Sequence, residues 1–167
     1  MDDVILAIDS GTSGTKSIVL DGEDQILSIV ETSIRPVYSS GGSVEQDPQE
    51  LWSSVIGTAR DAAAEAGVPI SCIALSNQGE SVLAWNRDTG EPVSNIVVWQ
   101  DSRATEIARQ RANYKDVILR RTGLTLDPYF TAPKITWLYQ QLSKSGSFSS
   151  RDVITTTDTW LLYRLTG

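Results

Sequence analysis

A mixed-sheet α/β fold is what the chain predicts, on two observations. Three strand-like runs open it on connections too short for a crossover helix, so they form an antiparallel meander. Beyond residue 47, helical and strand-like periods alternate to the end, which adds parallel pairing and helices to cover a sheet.

The opening strands are "VILAID" (4–9), "TKSIVLD" (15–21) and "QILSIVETS" (25–33), with "DGED" a tight turn at Gly22. "RPVYSSGGSVEQ" is a loop marked by Pro36, Gly41 and Gly42. Asp47 is a natural N-cap, Pro48 fits the first helical position and Glu50 completes a capping-box spacing. Leu51, Val55, Ile56, Ala59, Ala63 and Ala66 recur at helical spacing until Gly67 stops them. "PISCIALSNQ" (69–78) reads as a buried strand, with Cys72 as a small buried hydrophobe. "SVLAWNRDTGEPVSNIVVWQ" reads as an inserted hairpin turning at "RDTGEP". "DSRATEIARQRA" is helical from a cap at Asp101 or Ser102, and "TGLTLDPYF" is a loop. "TAPKITWLYQQL" is a helix with Ile135, Leu138, Tyr139 and Leu142 on one face. "DVITTTD" is a strand, and "DTWLLYRLTG" a helix capped by Asp158 and stopped by Gly167. Trp52, Trp137 and Trp160 read as packing residues. No repeat, low-complexity segment or dividing linker is evident.

The 167 residues suffice for one well-cored domain and are short for two. With 40% hydrophobic and 21% charged residues the balance is that of a globular protein. A net charge of -7 argues against nucleic acid and anionic lipid as partners. It does not argue against a phosphate ligand, because local donors outweigh a distant net charge. The chain has no histidine, which removes histidine-dependent triads, most zinc sites and the commonest general base. One cysteine excludes an internal disulfide and fits a reducing cytoplasm. No apolar run approaches the ~18 residues of a membrane span. "MDDVILAID" is too acidic and too short for a signal peptide.

The first turn carries the clearest chemistry. A plain hairpin needs two turn residues, whereas "SGTSG" spends five, all Gly, Ser or Thr. Exposed N–H groups and hydroxyls there make an anion-binding concavity. Asp9 ends the first strand where a carboxylate can orient a water on Mg²⁺, and Lys16 adds a positive charge beyond the turn. A strand follows the turn instead of a helix, so it is not a Walker loop. A wide turn with a capping aspartate is the competing structural reading.

"AIDSGTSGTKSIVLD" resembles the first phosphate motif of the actin-like ATPase superfamily. "VEQDPQELW", "ALSNQGESVLAW", "GEPVSNIVVWQDSRA", "GLTLDPYFTAPKITWL" and "TTTDTWLLYRLTG" follow in the order found in FGGY carbohydrate kinases, with the strongest likeness to the glycerol kinase-like branch. The likeness covers essentially residues 1–167. It implies a ribonuclease H-like, actin-like ATPase domain with a five-stranded mixed sheet and flanking helices. The implied activity is transfer of the ATP γ-phosphoryl group to a sugar or polyol hydroxyl.

Carried over residue by residue, the resemblance assigns Asp9 to Mg²⁺ through water, and Gly11, Thr12, Ser13 and Lys16 to ATP phosphates. Lys16 stands where the family often has arginine. On the substrate side it points to Gln78, Gly79, Glu80, Trp99 and Tyr129. The glycerol kinase-like branch carries Asn-Gln-Arg-Glu where this chain has Asn77, Gln78, Gly79 and Glu80. The missing guanidinium implies room for a bulkier polyol and weaker use of glycerol. Each substrate residue has a structural rival: a strand-end charge for Glu80, a core side chain for Trp99, a turn for Tyr129 after Asp127 and Pro128. The family's catalytic base, second phosphate motif and adenine pocket lie in a C-terminal half, so no base is expected in this segment. The implied partners are a small sugar or polyol and that C-terminal domain, with a homodimer left open. A non-catalytic actin-like binding module is the alternative function.

Overall fold

The computed structural model describes residues 3–167; Met1 and Asp2, the start of the stretch weighed as a leader, lie outside the described residues. In chain order the elements are β1 (Ile5–Ser10), β2 (Gly14–Leu20), β3 (Ile26–Ser33), β4 (Val37–Tyr38), β5 (Val44–Gln46), α1 (Pro48–Ala66), β6 (Cys72–Asn77), β7 (Val82–Asn86), β8 (Ile96–Val97), α2 (Thr105–Gln110), α3 (Lys115–Thr122), α4 (Thr131–Ser145), β9 (Asp152–Thr156) and α5 (Thr157–Thr166). No helix among the described residues is long and apolar enough to cross a membrane.

Two compact units make up the chain. Residues up to Pro36 with Asp47–Gln78 make the first, and Val37–Gln46 with Gly79–Gly167 the second. The expected single five-stranded mixed sheet is corrected. The first unit has a four-stranded sheet ordered β3-β2-β1-β6, and the second a five-stranded sheet ordered β4-β5-β8-β7-β9. The strands expected to extend the first sheet pair elsewhere: β9 runs antiparallel to β7 from Val82 opposite Thr156 to Asn86 opposite Asp152.

In the first unit, β1–β2 and β2–β3 are antiparallel and β1–β6 is parallel. The helix start falls as the sequence dictates. The Asp47 side chain accepts from the Gln49 N–H at 2.8 Å and Pro48 is the first helical residue. Gly67, at φ +64, ends the helix in the left-handed conformation. α1 buries Leu51, Val55 and Ala62, and the strands contribute Leu6, Ile8 and Val19. A polar seam runs beside these. Thr15 Oγ1 lies 2.7 Å from Ser54 Oγ, Ser17 Oγ 2.8 Å from Thr58 Oγ1, and Ser28 Oγ donates to Ala62 O. Ser54 gives its own hydrogen to Leu51 O and Thr58 gives its hydrogen to Ser54 O, so Thr15 and Ser17 are the donors. Strand β6 is a sheet edge and not a buried strand. Ile73 is 55% exposed and Cys72 is exposed, because only the β1 side of the run has a partner.

The second unit is built on Val82, Ala84, Val97 and Leu138, with Ile135, Trp137, Leu142, Phe148 and Ile154 packed against them. Trp160 is fully buried and its indole N–H donates to Gly90 O. Gly90, at φ +74, sits in the predicted "RDTGEP" turn; a Cβ there would meet the Tyr163 ring at 2.9 Å. Helix α3, which the sequence reading did not mark, has no buried residue. The cap of α5 is Thr156, not Asp158, which lies in the first turn where a carboxylate suits the helix dipole. Likewise α2 begins after the turn that Asp101 and Ser102 form.

Candidate active site

The "SGTSG" turn closes by a bond from Gly11 N–H to Gly14 O at 2.9 Å, and Ser13 O accepts from the Ile34 N–H. Gly14 is required by a close approach: a Cβ there would stand 2.7 Å from Thr32 O. Asp9, Gly11, Ser13, Gly14, Thr15, Lys16, Glu31, Thr32 and Ser33 line an open hollow of about 410 Å³. The strand register places charges in a row across it. Asp9 is directly opposite Lys16, and Lys16 directly opposite Glu31. Lys16 Nζ is 3.0 Å from Glu31 Oε2, an exposed pair of little net worth to stability.

Of the four residues expected at the phosphates, Gly11, Ser13 and Lys16 line this hollow, together with Asp9, the residue expected at Mg²⁺. Thr12 turns its hydroxyl to Gln78 Oε1 at 3.2 Å. Gln78 is also tied by its N–H to Ser10 O, which continues the β1–β6 ladder one step past Asn77. Glu31 was missed by sequence reasoning, since only the β2–β3 register brings it to Lys16.

The remaining substrate candidates stand in the second unit. Gly79 is exposed, and a Cβ built on it meets nothing within 4 Å. Glu80 Oε2 accepts from the backbone N–H of Thr131 at 2.7 Å and from its hydroxyl. The carboxylate thus sits at the first turn of α4, a placement the helix dipole favours. Trp99 is half-buried and not a core residue; its N–H donates to Ser81 Oγ. The Trp99 and Tyr129 rings lie 5.1 Å apart, and Tyr129 is 43% exposed. Tyr129 is a turn residue whose N–H donates to Asp127 Oδ1, and its ring lies against that of Trp99. Glu80, Trp99 and Tyr129 are gathered by residues 127–131, while Gly79 leaves open space beside Glu80.

Two features here escaped the sequence reading. Lys134 has its side chain wholly buried, donating to Pro128 O at 2.6 Å and to Tyr129 O. Burial pushes its pKa down to about 8, against the pull of Glu80, Asp101 and Asp127. A signal was present: a lysine in the first turn of a helix opposes the helix dipole. The second is the Asp101–Arg103–Glu45 network. Asp101 accepts from Val44 N–H and from Arg103, and Arg103 reaches Glu45 at 2.7 Å while stacking on Trp137 at 4.1 Å. Burial lowers the Arg103 pKa, but the bonds to Asp101 and Glu45 more than offset this and raise it above the ordinary value.

Residues 4–167 match the FGGY family of carbohydrate kinases, N-terminal domain, and the chain belongs to that family. Among curated relatives it is 37% identical over 170 residues to the glycerol kinase of Delftia acidovorans, and 40% over 170 residues to that of Methylibium petroleiphilum. Each alignment covers 98% of this chain and 34% of the relative, so the chain spans about a third of the length of the curated relatives it matches. The crystal structure of Plasmodium falciparum glycerol kinase with ADP is similar with a TM-score of 0.87 at 31% identity, over 99% of this chain and 34% of that one. The ligand-bound xylulose kinase of Lactobacillus acidophilus is similar in fold, with a TM-score of 0.85 at 22% identity over 97% of this chain and 33% of that one. The fold is thus that of the actin-like sugar kinases.

Proposed function

We propose that the chain is the N-terminal part of an ATP-dependent kinase that transfers the γ-phosphoryl group of ATP to a hydroxyl of a sugar or polyol. The observation that carries this is the row of Asp9, Lys16 and Glu31 across a glycine- and hydroxyl-lined hollow, in a chain of a carbohydrate kinase family. Ser13 offers an N–H and a hydroxyl to phosphate oxygens, Gly11, whose N–H is spent on Gly14 O, lets them approach the backbone closely, and Lys16 offers a mobile point charge. Thr12 acts by fixing Gln78 as well as through its backbone.

The donor set also fits Mg²⁺. No three His, Cys, Asp or Glu residues gather to hold a bare cation among the described residues. A lone Asp9 carboxylate is what Mg²⁺ uses when it keeps most of its waters and takes other oxygens from phosphates. When bound there, Mg²⁺ supplies charge neutralisation at the β- and γ-phosphates.

On the alcohol side Trp99 and Tyr129 form an aromatic wall, with the Tyr129 hydroxyl for a polar contact. Glu80 Oε1 is left for a substrate hydroxyl, since both bonds to Thr131 fall on Oε2. Gly79 in place of an arginine favours a polyol larger than glycerol. The base that takes the alcohol proton belongs to the C-terminal part of the full-length protein, and we place the whole in the cytoplasm. A non-catalytic actin-like module gains nothing from Glu80, Trp99 and Tyr129, so we set that alternative aside.

A coupled ADP-release assay on the full-length gene product tests this, with glycerol, tetritols, pentitols and ketopentoses as acceptors. The expected result is acceptor-dependent ADP release, lost in Asp9→Asn. Release that no acceptor stimulates would overturn the reading.

A further inference from the structure

We infer that Lys134 is a positioning residue of the alcohol site: its side-chain nitrogen, donating to the carbonyls of Pro128 and Tyr129, fixes the backbone from which Tyr129 faces Trp99. The inference rests on the reading that Trp99 and Tyr129 line that site.

Lysine is almost never wholly buried unless paired. Here the side chain has no exposure, yet its hydrogen-bond partners are neutral carbonyls. The charged groups that face it are Glu80, Asp101 and Asp127, and each is engaged elsewhere. Glu80 accepts from Thr131, Asp101 from Arg103 and Val44, and Asp127 from the Tyr129 N–H. The phenol ring of Tyr129 lies 5.8 Å from the nitrogen, at the limit of cation–π reach.

The helix dipole opposes a cation in the first turn of α4, so the charge is not placed there to stabilise the helix. What an apolar side chain cannot do is bond two successive carbonyls of the loop before the helix. The bond to Pro128 O holds the Pro128–Tyr129 peptide, and the bond to Tyr129 O holds the Tyr129–Phe130 peptide. The Asp127 bond to the Tyr129 N–H holds the Pro128–Tyr129 peptide from its other side. Together they hold the backbone on both sides of Tyr129, whose ring lies 5.1 Å from that of Trp99.

The depressed pKa supplies a signature. An opened loop would return Lys134 to water and to its ordinary value, so the closed loop binds the proton less tightly. Raising the pH through about 8 therefore favours the closed loop.

The test uses the full-length protein, its Lys134→Met variant, and two readouts. In steady-state kinetics the variant should raise KM for the accepted alcohol at least about tenfold, the loss of one charge-assisted bond, with KM for ATP within about twofold. In amide hydrogen exchange without substrate, the Tyr129 and Phe130 amides should lose protection in the variant while β1 and β7 keep theirs. Their wild-type protection should rise between pH 7 and pH 9.5, taken as round values on either side of about 8, and this rise should be absent in the variant. Unchanged exchange and unchanged alcohol KM in the variant would overturn the inference. A variant that fails to fold leaves the wild-type pH series, whose flatness would overturn it equally. Loop loosening in a protein that phosphorylates no alcohol would instead sink the kinase reading and keep the clamp.

Discussion

Lys16 is held 3.0 Å from Glu31 across the β2–β3 ladder, with Asp9 on its other side. A cation expected at a phosphate thus rests on a carboxylate. To serve ATP it must exchange Glu31 for a phosphate oxygen, and Glu31 must turn to water.

Neutralising Glu31 should therefore help the nucleotide. In Glu31→Gln we expect a several-fold lower KM for ATP, an effect of about 1 kcal/mol, the upper worth of an exposed pair. Added salt should narrow the difference. An unchanged KM at low salt would show that Lys16 does not reach the phosphates.

The complementary double change, Thr12→Val with Lys16→Ala, should lower kcat/KM for Mg·ATP by about 1.5–3 kcal/mol, the worth of a charge-assisted contact. Circular dichroism should remain that of wild type, because the Lys16–Glu31 pair is exposed. Wild-type ATP kinetics in this variant would remove the turn from the nucleotide site.

Gly14→Ala should damage the turn by geometry alone. The new methyl would stand 2.7 Å from Thr32 O, a backbone atom that cannot swing away. We expect a loss of about 1–3 kcal/mol, the usual cost of overpacking, seen as a lower Tm. A Tm equal to wild type would mean that β3 shifts freely.

Gly79→Arg should improve glycerol as a substrate without harming the fold, since nothing lies within 4 Å of the added Cβ. A guanidinium there offers two donors to adjacent hydroxyls. Wild-type protein that already prefers glycerol to larger polyols would refute the specificity argument.

The ends of α1 were legible in the sequence because Asp47, Pro48 and Gly67 act on their own backbone neighbourhood, while Glu50 only adds a first-turn charge. The meander was legible because its turns are short. What escaped is non-local. The pairing of β5 with β8 joins residues some fifty positions apart, and that of β7 with β9 some seventy, so the number of sheets could not be read from element order. The apolar run of β6 gave no hint that only one of its edges is paired. At the candidate site, the residue types of the "SGTSG" turn were readable, but Thr12 turning to Gln78 and Glu31 reaching Lys16 are products of register. Lys134 was visible only as a charge in the wrong turn of a helix.

The hydroxyl seam under α1 works as a set of detents. Apolar side chains slide past one another with gradual loss, but Thr15, Ser17 and Ser28 meet Ser54, Thr58 and Ala62 at intervals of one helical turn. A shift by a fraction of a turn would strand buried hydroxyls, each at about 1–3 kcal/mol. The helix is therefore indexed to the strands in whole steps. Thr15 directly follows the "SGTSG" turn, so any push on that turn meets a stop and not a spring.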